Sequence, residues 1–296
     1  MSSTVIGHTT SEPTTEPRFA FGANWARFLE GLTDAQIAAA IDSLRRVFGE
    51  DGLKGRSFLD IGSGSGLFSL AAHRLGASVV SFDYDPDSVL CTRELRRREQ
   101  ATDDAWQVRQ GSILDADFVG PLGQFDIVYS WGVLHHTGDM WTAIERAAEC
   151  VAPGGTLWIA LYNDQGQTSR CWLGIKRLYL AIPRFLQPLY VVLVGGVWGS
   201  SRLLGKLWRR LLVALFGSLA RPSSTKRENT PPLMASQRQR GMTLWYDLVD
   251  WVGGYPFEVA KPEAVLHFLQ ARGFRLVDLR TCGGDLGCNE YWLKKD

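Results

Sequence analysis

The sequence predicts an α/β fold, a doubly wound sheet of seven strands that is mostly parallel, ends in an antiparallel C-terminal hairpin and carries a helical insertion. Three observations predict it. Short runs rich in β-branched and aromatic residues alternate with helical periodicities between residues 57 and 161, the pattern of successive βαβ units. The first run, Phe58 to Ile61, stops in a glycine turn and passes at once into a helical pattern, Leu67 to Leu75. Two further strand-like runs, 274–280 and 289–294, close the chain after a stretch of different composition.

Composition sets the outer bounds. At 296 residues, 45% apolar and 21% charged, the chain suits one large domain with an elaboration. Its 32 basic and 31 acidic residues leave a formal charge of +1, which taken over the whole chain argues against a polyanion partner. The five cysteines, at 91, 150, 171, 282 and 288, are odd in number and contain no Cys-x-x-Cys pair. Neither a disulfide framework nor a metal site is indicated, and free thiols in a reducing cytoplasm are expected; a pairing of Cys282 with Cys288 across a hairpin is the other reading.

Residues 1–17, rich in Ser, Thr, Pro and Glu, lack the basic start and apolar core of a signal peptide and are expected to be a disordered tail. A helical segment follows over 18–54. Thr33 caps a helix in which Ile37, Ile41, Leu44, Val47 and Phe48 recur at helical spacing. Ahead of it, Trp25 and Arg27 either form a lid over a bound ligand or anchor that helix on the core.

The core is expected over 55–164. It reads as strand 57–61, helix 66–75, strand 77–82, helix 86–99, strands 105–109 and 125–130, helix 139–151 and strand 155–161. Pro86 suits the first turn of its helix, where its missing N–H has no partner to lose. The arrangement is Rossmann-like.

Glycines 62, 64 and 66 let the backbone turn sharply and let a ligand approach without a Cβ in the way. The strand before them ends in Asp60, and the next ends in Asp83, 23 residues on. In a doubly wound sheet these carboxyl ends share one crevice, where Asp83 can accept hydrogen bonds from ribose hydroxyls and Asp60 can meet an ammonium. The Gly-x-Gly-x-Gly spacing differs from the Gly-x-Gly-x-x-Gly of dinucleotide enzymes, which leaves a nicotinamide oxidoreductase as the rival enzyme class.

Four stretches, Leu59-Asp-Ile-Gly-Ser-Gly-Ser-Gly66, Ser81-Phe-Asp-Tyr-Asp-Pro86, Phe125-Asp-Ile-Val-Tyr-Ser-Trp-Gly-Val-Leu-His-His136 and Val151-Ala-Pro-Gly-Gly-Thr-Leu-Trp-Ile159, together resemble the class I S-adenosylmethionine-dependent methyltransferases. The resemblance covers about residues 55–163 and lies in the type 11/12 group. It implies S-adenosylmethionine as cofactor, held by Asp60, Gly62, Ser63, Gly64, Gly66, Asp83, Tyr84, Ser130 and Trp131, with Trp25 and Arg27 from the lid. Ser112 and Ile113 stand where the family places its adenine contacts, with Ser112 replacing a common acidic residue, while Asp115 reads as a helix or turn cap. His135 and His136 border cofactor and acceptor. They are candidate bases for a hydroxyl acceptor; otherwise His136 holds the loop by a backbone hydrogen bond and His135 lines the pocket.

The segment 165–240 reads as a basic, apolar helical insertion. Between Asp164 and Glu228 there is no acidic residue but eleven basic ones, which leaves 21 basic against 31 acidic elsewhere. Over 202–215, Arg202, Lys206, Arg209 and Arg210 fall on one face of a helical wheel, with Leu203, Leu204, Leu207, Trp208, Leu211 and Leu215 on the other. Such a helix suits an anionic membrane surface, met through residues 170–221 at the inner face, or a lid over the acceptor pocket. Nucleic acid is disfavoured, because long aliphatics rather than polar and aromatic side chains separate the charges. The insertion is too interrupted by Pro188 and glycines to span a bilayer. In this respect the chain is similar to the ubiquinone-pathway O-methyltransferases, peripheral membrane enzymes that carry a membrane-binding insertion; where they more often have Leu-Glu-His, this chain has Leu134-His135-His136. It is also similar to bacterial methyltransferases of glycan and secondary-metabolite pathways.

Residues 241–296 return to the core sheet, and their aromatic stretch, with Trp245, Tyr246, Asp247, Asp250, Trp251 and Tyr255, either shapes an acceptor pocket or packs a helix. The expected activity is methyl transfer to a small or lipid-like acceptor, most often on oxygen. Methylation of carbon or nitrogen on a soluble metabolite or glycan precursor is the alternative. A membrane-associated interaction protein without catalysis is the alternative outside enzymology.

Overall fold

The computed structural model of the chain describes residues 18–19, 21–22, 25, 28–29, 31–200, 244–283 and 287–296. The expected tail at 1–17, Arg27 and the amphipathic stretch 202–215 lie outside the described residues, as do the side chains of Trp245, Tyr246 and Asp247. From Asp34 to the C-terminus the chain runs α1 (Asp34–Phe48), β1 (Ser57–Ile61), α2 (Leu67–Arg74), β2 (Ser78–Asp83), α3 (Pro86–Arg98), β3 (Trp106–Gln110), α4 (Ala116–Val119), β4 (Phe125–Trp131), α5 (Met140–Glu149), β5 (Val151–Tyr162) and α6 (Gln167–Ala181). A helix α7 occupies 187–200. Then come α8 (Leu244–Gly253), α9 (Pro262–Gln270), β6 (Phe274–Arg280) and β7 (Cys288–Lys295).

The seven strands form one sheet in the order β3-β2-β1-β4-β5-β7-β6. The first five are parallel, and β7 runs antiparallel to both β5 and β6. Strand order reverses between β1 and β4, so the crevice that such sheets use for ligands opens at the carboxyl ends of these two strands.

Local chemistry starts the helices where they start. Thr33 and Gln36 make a reciprocal capping box on α1, with the Thr33 N–H donating to Gln36 Oε1 at 2.6 Å. Asp85 caps α3 by accepting from the Asp87 N–H at 2.9 Å, with Pro86 in the first turn. Asp115, expected as a cap, accepts from the N–H groups of Asp117 and Phe118 and starts α4. Strand β5 begins at Val151, before the expected 155. Pro153 has no N–H to give the ladder, and the register with β4 shifts there between Phe125 and Ile127.

Alternate residues of each strand feed opposite faces. Leu59, Ile61, Val128 and Ile159 pack on one side with Ala143, Ile144 and Ala147 of α5 and Val265 and Leu269 of α9. Phe58, Ile127, Tyr129 and Trp158 pack on the other with Leu44 of α1 and Leu70 of α2. Full burial of one such side chain stabilises by roughly 1.5–3 kcal/mol, so these two layers fix the strand ends that carry the site. A smaller cluster, Trp172 and Tyr179 of α6, Val191 of α7 and Val252 of α8, ties the segment after β5 to the helix that precedes the closing strands.

Candidate active site

The turn after β1 places Gly62, Gly64 and Gly66 at φ of +75°, +54° and +80°. Space excludes a side chain at Gly62 and is tight at Gly64. A Cβ on Gly62 would lie 2.3 Å from Val133 Cγ1, and one on Gly64 would lie 3.0 Å from the ring of Trp25. The carboxylate of Asp83 splints this turn, accepting from the Gly64 N–H at 2.9 Å on one oxygen and from the Asp85 N–H at 2.9 Å on the other. Asp60, only 2% exposed, accepts from Ser69 Oγ at 2.5 Å.

Both carboxyls are held above their ordinary range. Burial is the largest cause in each case, raising Asp60 to about 7 and Asp83 to about 6; the Ser69 hydrogen bond works against it at Asp60, and backbone donors do so at Asp83. Two carboxyls in one buried crevice, each costly to ionise there unpaired, call for a ligand that supplies a cation and hydroxyl donors.

The crevice opens into a cavity of about 500 Å³, within the size range of small-molecule sites. Of the residues singled out in the sequence, Trp25, Asp60, Gly62, Ser63, Gly64, Asp83, Tyr84, Ser112, Ile113, Trp131 and His136 line it. Tyr84 stands at the rim, 61% exposed. Gly66 lies one step behind as the N-cap of α2, pressed against Thr92.

Two expectations are corrected. Ser130 does not line the cavity; it is fully buried and donates to the Ile61 carbonyl at 3.0 Å, which ties β4 to β1. His135 does not line it either. In the 3₁₀ turn Leu134–His136 the two rings stay in contact, centroids 4.4 Å apart, but His135 is buried behind the wall, its ring 4.0 Å from that of Tyr162. Burial, followed by the nearby His136 and Lys176, holds its pKa well below the usual histidine value.

His136 keeps its place in the cavity wall. Its Nδ1 lies 2.5 Å from the carbonyl oxygen of Pro256. A carbonyl only accepts, so Nδ1 carries the proton and Nε2 is the acceptor. Burial first, then Lys176, lowers its pKa to about 3, so the ring is neutral at physiological pH.

Of the lid expected from Trp25 and Arg27, Trp25 lines the cavity; sequence reasoning missed the residues ahead of it. The segment before α1 crosses the crevice: the Phe19 N–H donates to the Tyr255 carbonyl at 2.9 Å, and the Gly22 N–H donates to Asp85 Oδ2 at 2.9 Å. Arg18 donates to the Thr137 carbonyl at 2.7 Å, and its guanidinium lies 5.2 Å from the centre of the Tyr84 ring. Phe19, Phe21, Thr137 and Pro256 join the lining, beside Tyr255, which the sequence had offered for an acceptor pocket. The aromatic and basic spacing of Arg18, Phe19 and Phe21 was the available signal.

Comparisons with known proteins agree with this geometry. Residues 59–157 match a family model described as a methyltransferase domain. The chain is 30% identical over 172 residues to the ubiquinone biosynthesis O-methyltransferase of Azorhizobium caulinodans, covering 54% of this chain and 66% of the relative. It is 35% identical over 111 residues to that of Xanthomonas campestris pv. campestris, covering 38% and 45%. It is also 31% identical over 166 residues to the ribosomal protein L11 methyltransferase of Xylella fastidiosa, covering 54% and 48%. The chain thus spans between about half and two thirds of the length of these curated relatives. Among solved structures, magnesium protoporphyrin IX methyltransferase from Synechocystis PCC 6803 with bound SAH superposes with a TM-score of 0.50 at 15% identity, over 93% of this chain and 94% of the other. An O-methyltransferase family protein from Burkholderia thailandensis gives 0.52 at 14%, over 96% and 65%. With its glycine turn, its two strand-end carboxylates and its sheet order, the chain carries a class I S-adenosylmethionine-dependent methyltransferase domain.

Proposed function

We propose that the chain transfers a methyl group from S-adenosylmethionine to an oxygen of a small, apolar or lipid-like acceptor. The observation that carries this reading is one cavity with the glycine turn, Asp60 and Asp83 at one end and neutral His136 with an aromatic roof at the other. The cofactor supplies, when bound, an electrophilic methyl on a cationic sulfur. Asp60 meets its ammonium, Asp83 its ribose hydroxyls, and Ser112 and Ile113 its adenine. Trp131 offers an aromatic face to the positive charge.

On the acceptor side, His136 Nε2 would orient a hydroxyl and take its proton as its oxygen displaces the sulfur from the methyl, the sulfur keeping the bond pair. With a pKa near 3 the ring is too weak a base to ionise an alcohol beforehand. Alignment therefore supplies most of the rate, and an acidic hydroxyl such as a phenol suits the site. The ubiquinone biosynthesis O-methyltransferases among the relatives support oxygen as the acceptor atom.

The segment after β5 supports a greasy acceptor met at an anionic membrane. Along the 3₁₀ turn Arg184–Leu186 and α7, Phe185, Leu189, Val192, Leu193 and Val197 are exposed, Phe185 by 80%. They recur at helical spacing within a stretch that holds eleven basic residues and no acidic one from 165 to 227. Each basic residue close to an anionic leaflet contributes roughly 1 kcal/mol. Among the described residues no helix is long and apolar enough to cross a membrane, so the reading is a surface contact.

The test is incubation of the purified protein with methyl-labelled S-adenosylmethionine and a cell extract, followed by partition of the label and by flotation with vesicles. Label in the organic phase, with flotation on phosphatidylglycerol but not phosphatidylcholine vesicles, is expected. Label confined to the aqueous phase makes the acceptor a soluble metabolite and the segment a lid. No transfer above a heat-killed control overturns the enzyme reading.

A further inference from the structure

Behind Asp60 the structure holds a chain of buried polar groups that crosses from β1 to β3. Trp106 Nε1 lies 2.9 Å from Ser81 Oγ, Ser81 Oγ lies 2.6 Å from Ser69 Oγ, and Ser69 Oγ lies 2.5 Å from Asp60 Oδ2. Ser69, Ser81 and Trp106 are completely buried, and they come from α2, β2 and β3.

Elementary donor and acceptor counting gives this chain a direction. An indole N–H can only donate, so Ser81 Oγ must accept from Trp106. Ser69 gives its one proton to Asp60, so between the two serines Ser81 is the donor. If Asp60 Oδ2 carried a proton and donated it backwards, Ser69 would have to turn its own proton away from Asp60, and that buried proton would need another acceptor. A buried donor left unpaired costs about 1–3 kcal/mol. The chain therefore favours the form of Asp60 that accepts on Oδ2, and a donor aimed at a carboxylate favours its charged form.

We infer that Ser69, Ser81 and Trp106 are positioning residues for the cofactor, a one-way donor chain that keeps the Asp60 carboxylate anionic and aimed at the cavity. The inference rests on the proposal that Asp60 receives the cofactor's ammonium. None of the three touches the ligand; each acts through Asp60. The chain opposes the burial that otherwise favours the neutral acid. Other charged or titratable groups around it are Asp83, Tyr84, Asp85 and Asp87 at the ends of β2 and the start of α3, and Tyr129 on β4, His136 and Arg18 across the cavity. His73 of α2 lies behind Trp106, ring centroids 5.8 Å apart.

The experiment measures S-adenosylhomocysteine affinity by calorimetry from pH 5.5 to 8.5, and follows the aspartate carboxyl carbons by NMR in the ligand-free protein. Wild type is compared with Ser69→Ala, Ser81→Ala, Trp106→Phe and Ser69→Thr. The expected result is an affinity midpoint that moves to higher pH in the first three, most in Ser69→Ala. There it should move by about one pH unit, or about fivefold weaker binding at pH 7 and little change at pH 8.5. Ser69→Thr, which keeps the hydroxyl, restores the midpoint. Trp106→Phe titrating like wild type, or losses equal at every pH, would overturn the chain. Should wild type fail to bind, the cofactor reading falls, while the carboxyl titration of the ligand-free variants still decides the chain by the same shift.

Discussion

Nδ1 of His136 donates to the carbonyl of Pro256, 120 residues further along the chain, at 2.5 Å. This one bond fixes the tautomer of the imidazole in the cavity wall and joins the loop after β4 to the segment after α8. It separates two roles that a simple deletion would confound, proton acceptance by Nε2 and retention of the loop.

His136→Asn keeps a donor for Pro256 and removes the Nε2 acceptor. Its melting temperature should stay near wild type while kcat falls roughly 10²-fold, with cofactor affinity unchanged. His136→Ala should lose stability as well. Because burial sets the wild-type pKa near 3, the rate should show no histidine titration between pH 5 and 8. A fully active His136→Asn would reduce the residue to a loop anchor.

The carboxylates at the strand ends trade stability for binding. A folded-state pKa raised above the unfolded value gives stability that is full below the unfolded pKa and is lost as pH rises through the folded one. Asp60 is raised from 3.8 to about 7 and Asp83 from 3.8 to about 6, burial first in both. The ligand-free protein should therefore lose stability between about pH 4 and 7, by on the order of 2–4 kcal/mol from Asp60. Asp60→Asn should melt higher than wild type at pH 8 and bind S-adenosylmethionine at least tenfold more weakly. Calorimetric melts at pH 5 and 8 check the sign; a variant that is less stable at pH 8 contradicts it.

Much of this arrangement was legible in the sequence because it is local or periodic. The strands could be read from runs such as Phe58–Ile61 and Phe125–Ser130, and the caps Thr33 and Asp115 from the residue types that pair with free helix N–H groups. What could not be read depends on long-range packing. Arg18 meets Thr137 across 119 residues, and Phe19 meets Tyr255 across most of the chain. His135 and His136 are neighbours in a loop, where no period tells which ring faces the cavity. Ser69, Ser81 and Trp106 are ordinary residues singly and become a chain only when α2, β2 and β3 stack.

Gly62 is constrained twice. Its φ of +75° is costly for any residue with a Cβ, and that Cβ would lie 2.3 Å from Val133 Cγ1. Gly62→Ala should lower stability by about 1–3 kcal/mol and reduce cofactor affinity, since the turn and Val133 both line the cavity. Adding Val133→Ala removes the two closest methyls and leaves the dihedral strain and a 2.9 Å approach to the Val133 Cβ. The double variant should thus recover part of the stability, which chemical denaturation will measure; full recovery would mean that the dihedral costs nothing.

Lys176 of α6 is buried to within 1% of its surface and donates to the Trp251 carbonyl at 2.5 Å, with its ammonium 4.9 Å from the centre of the Phe257 ring. Burial lowers its pKa from 10.5 to about 7, with Asp250 opposing. Here the unfolded chain binds the extra proton, so stability should rise as pH goes from about 7 to 10.5, opposite in sign to the Asp60 effect at lower pH. Lys176→Met keeps the length of the side chain and removes the charge that must be desolvated. It should therefore gain stability at pH 6, by roughly 1–4 kcal/mol, and gain less at pH 10. The same change removes a positive neighbour from His135 and His136, whose pKa values it helps to depress. If Lys176→Met is instead destabilised equally at both pH values, the bond to Trp251 outweighs the buried charge, and the lysine is a latch between α6 and α8 held by its hydrogen bond alone.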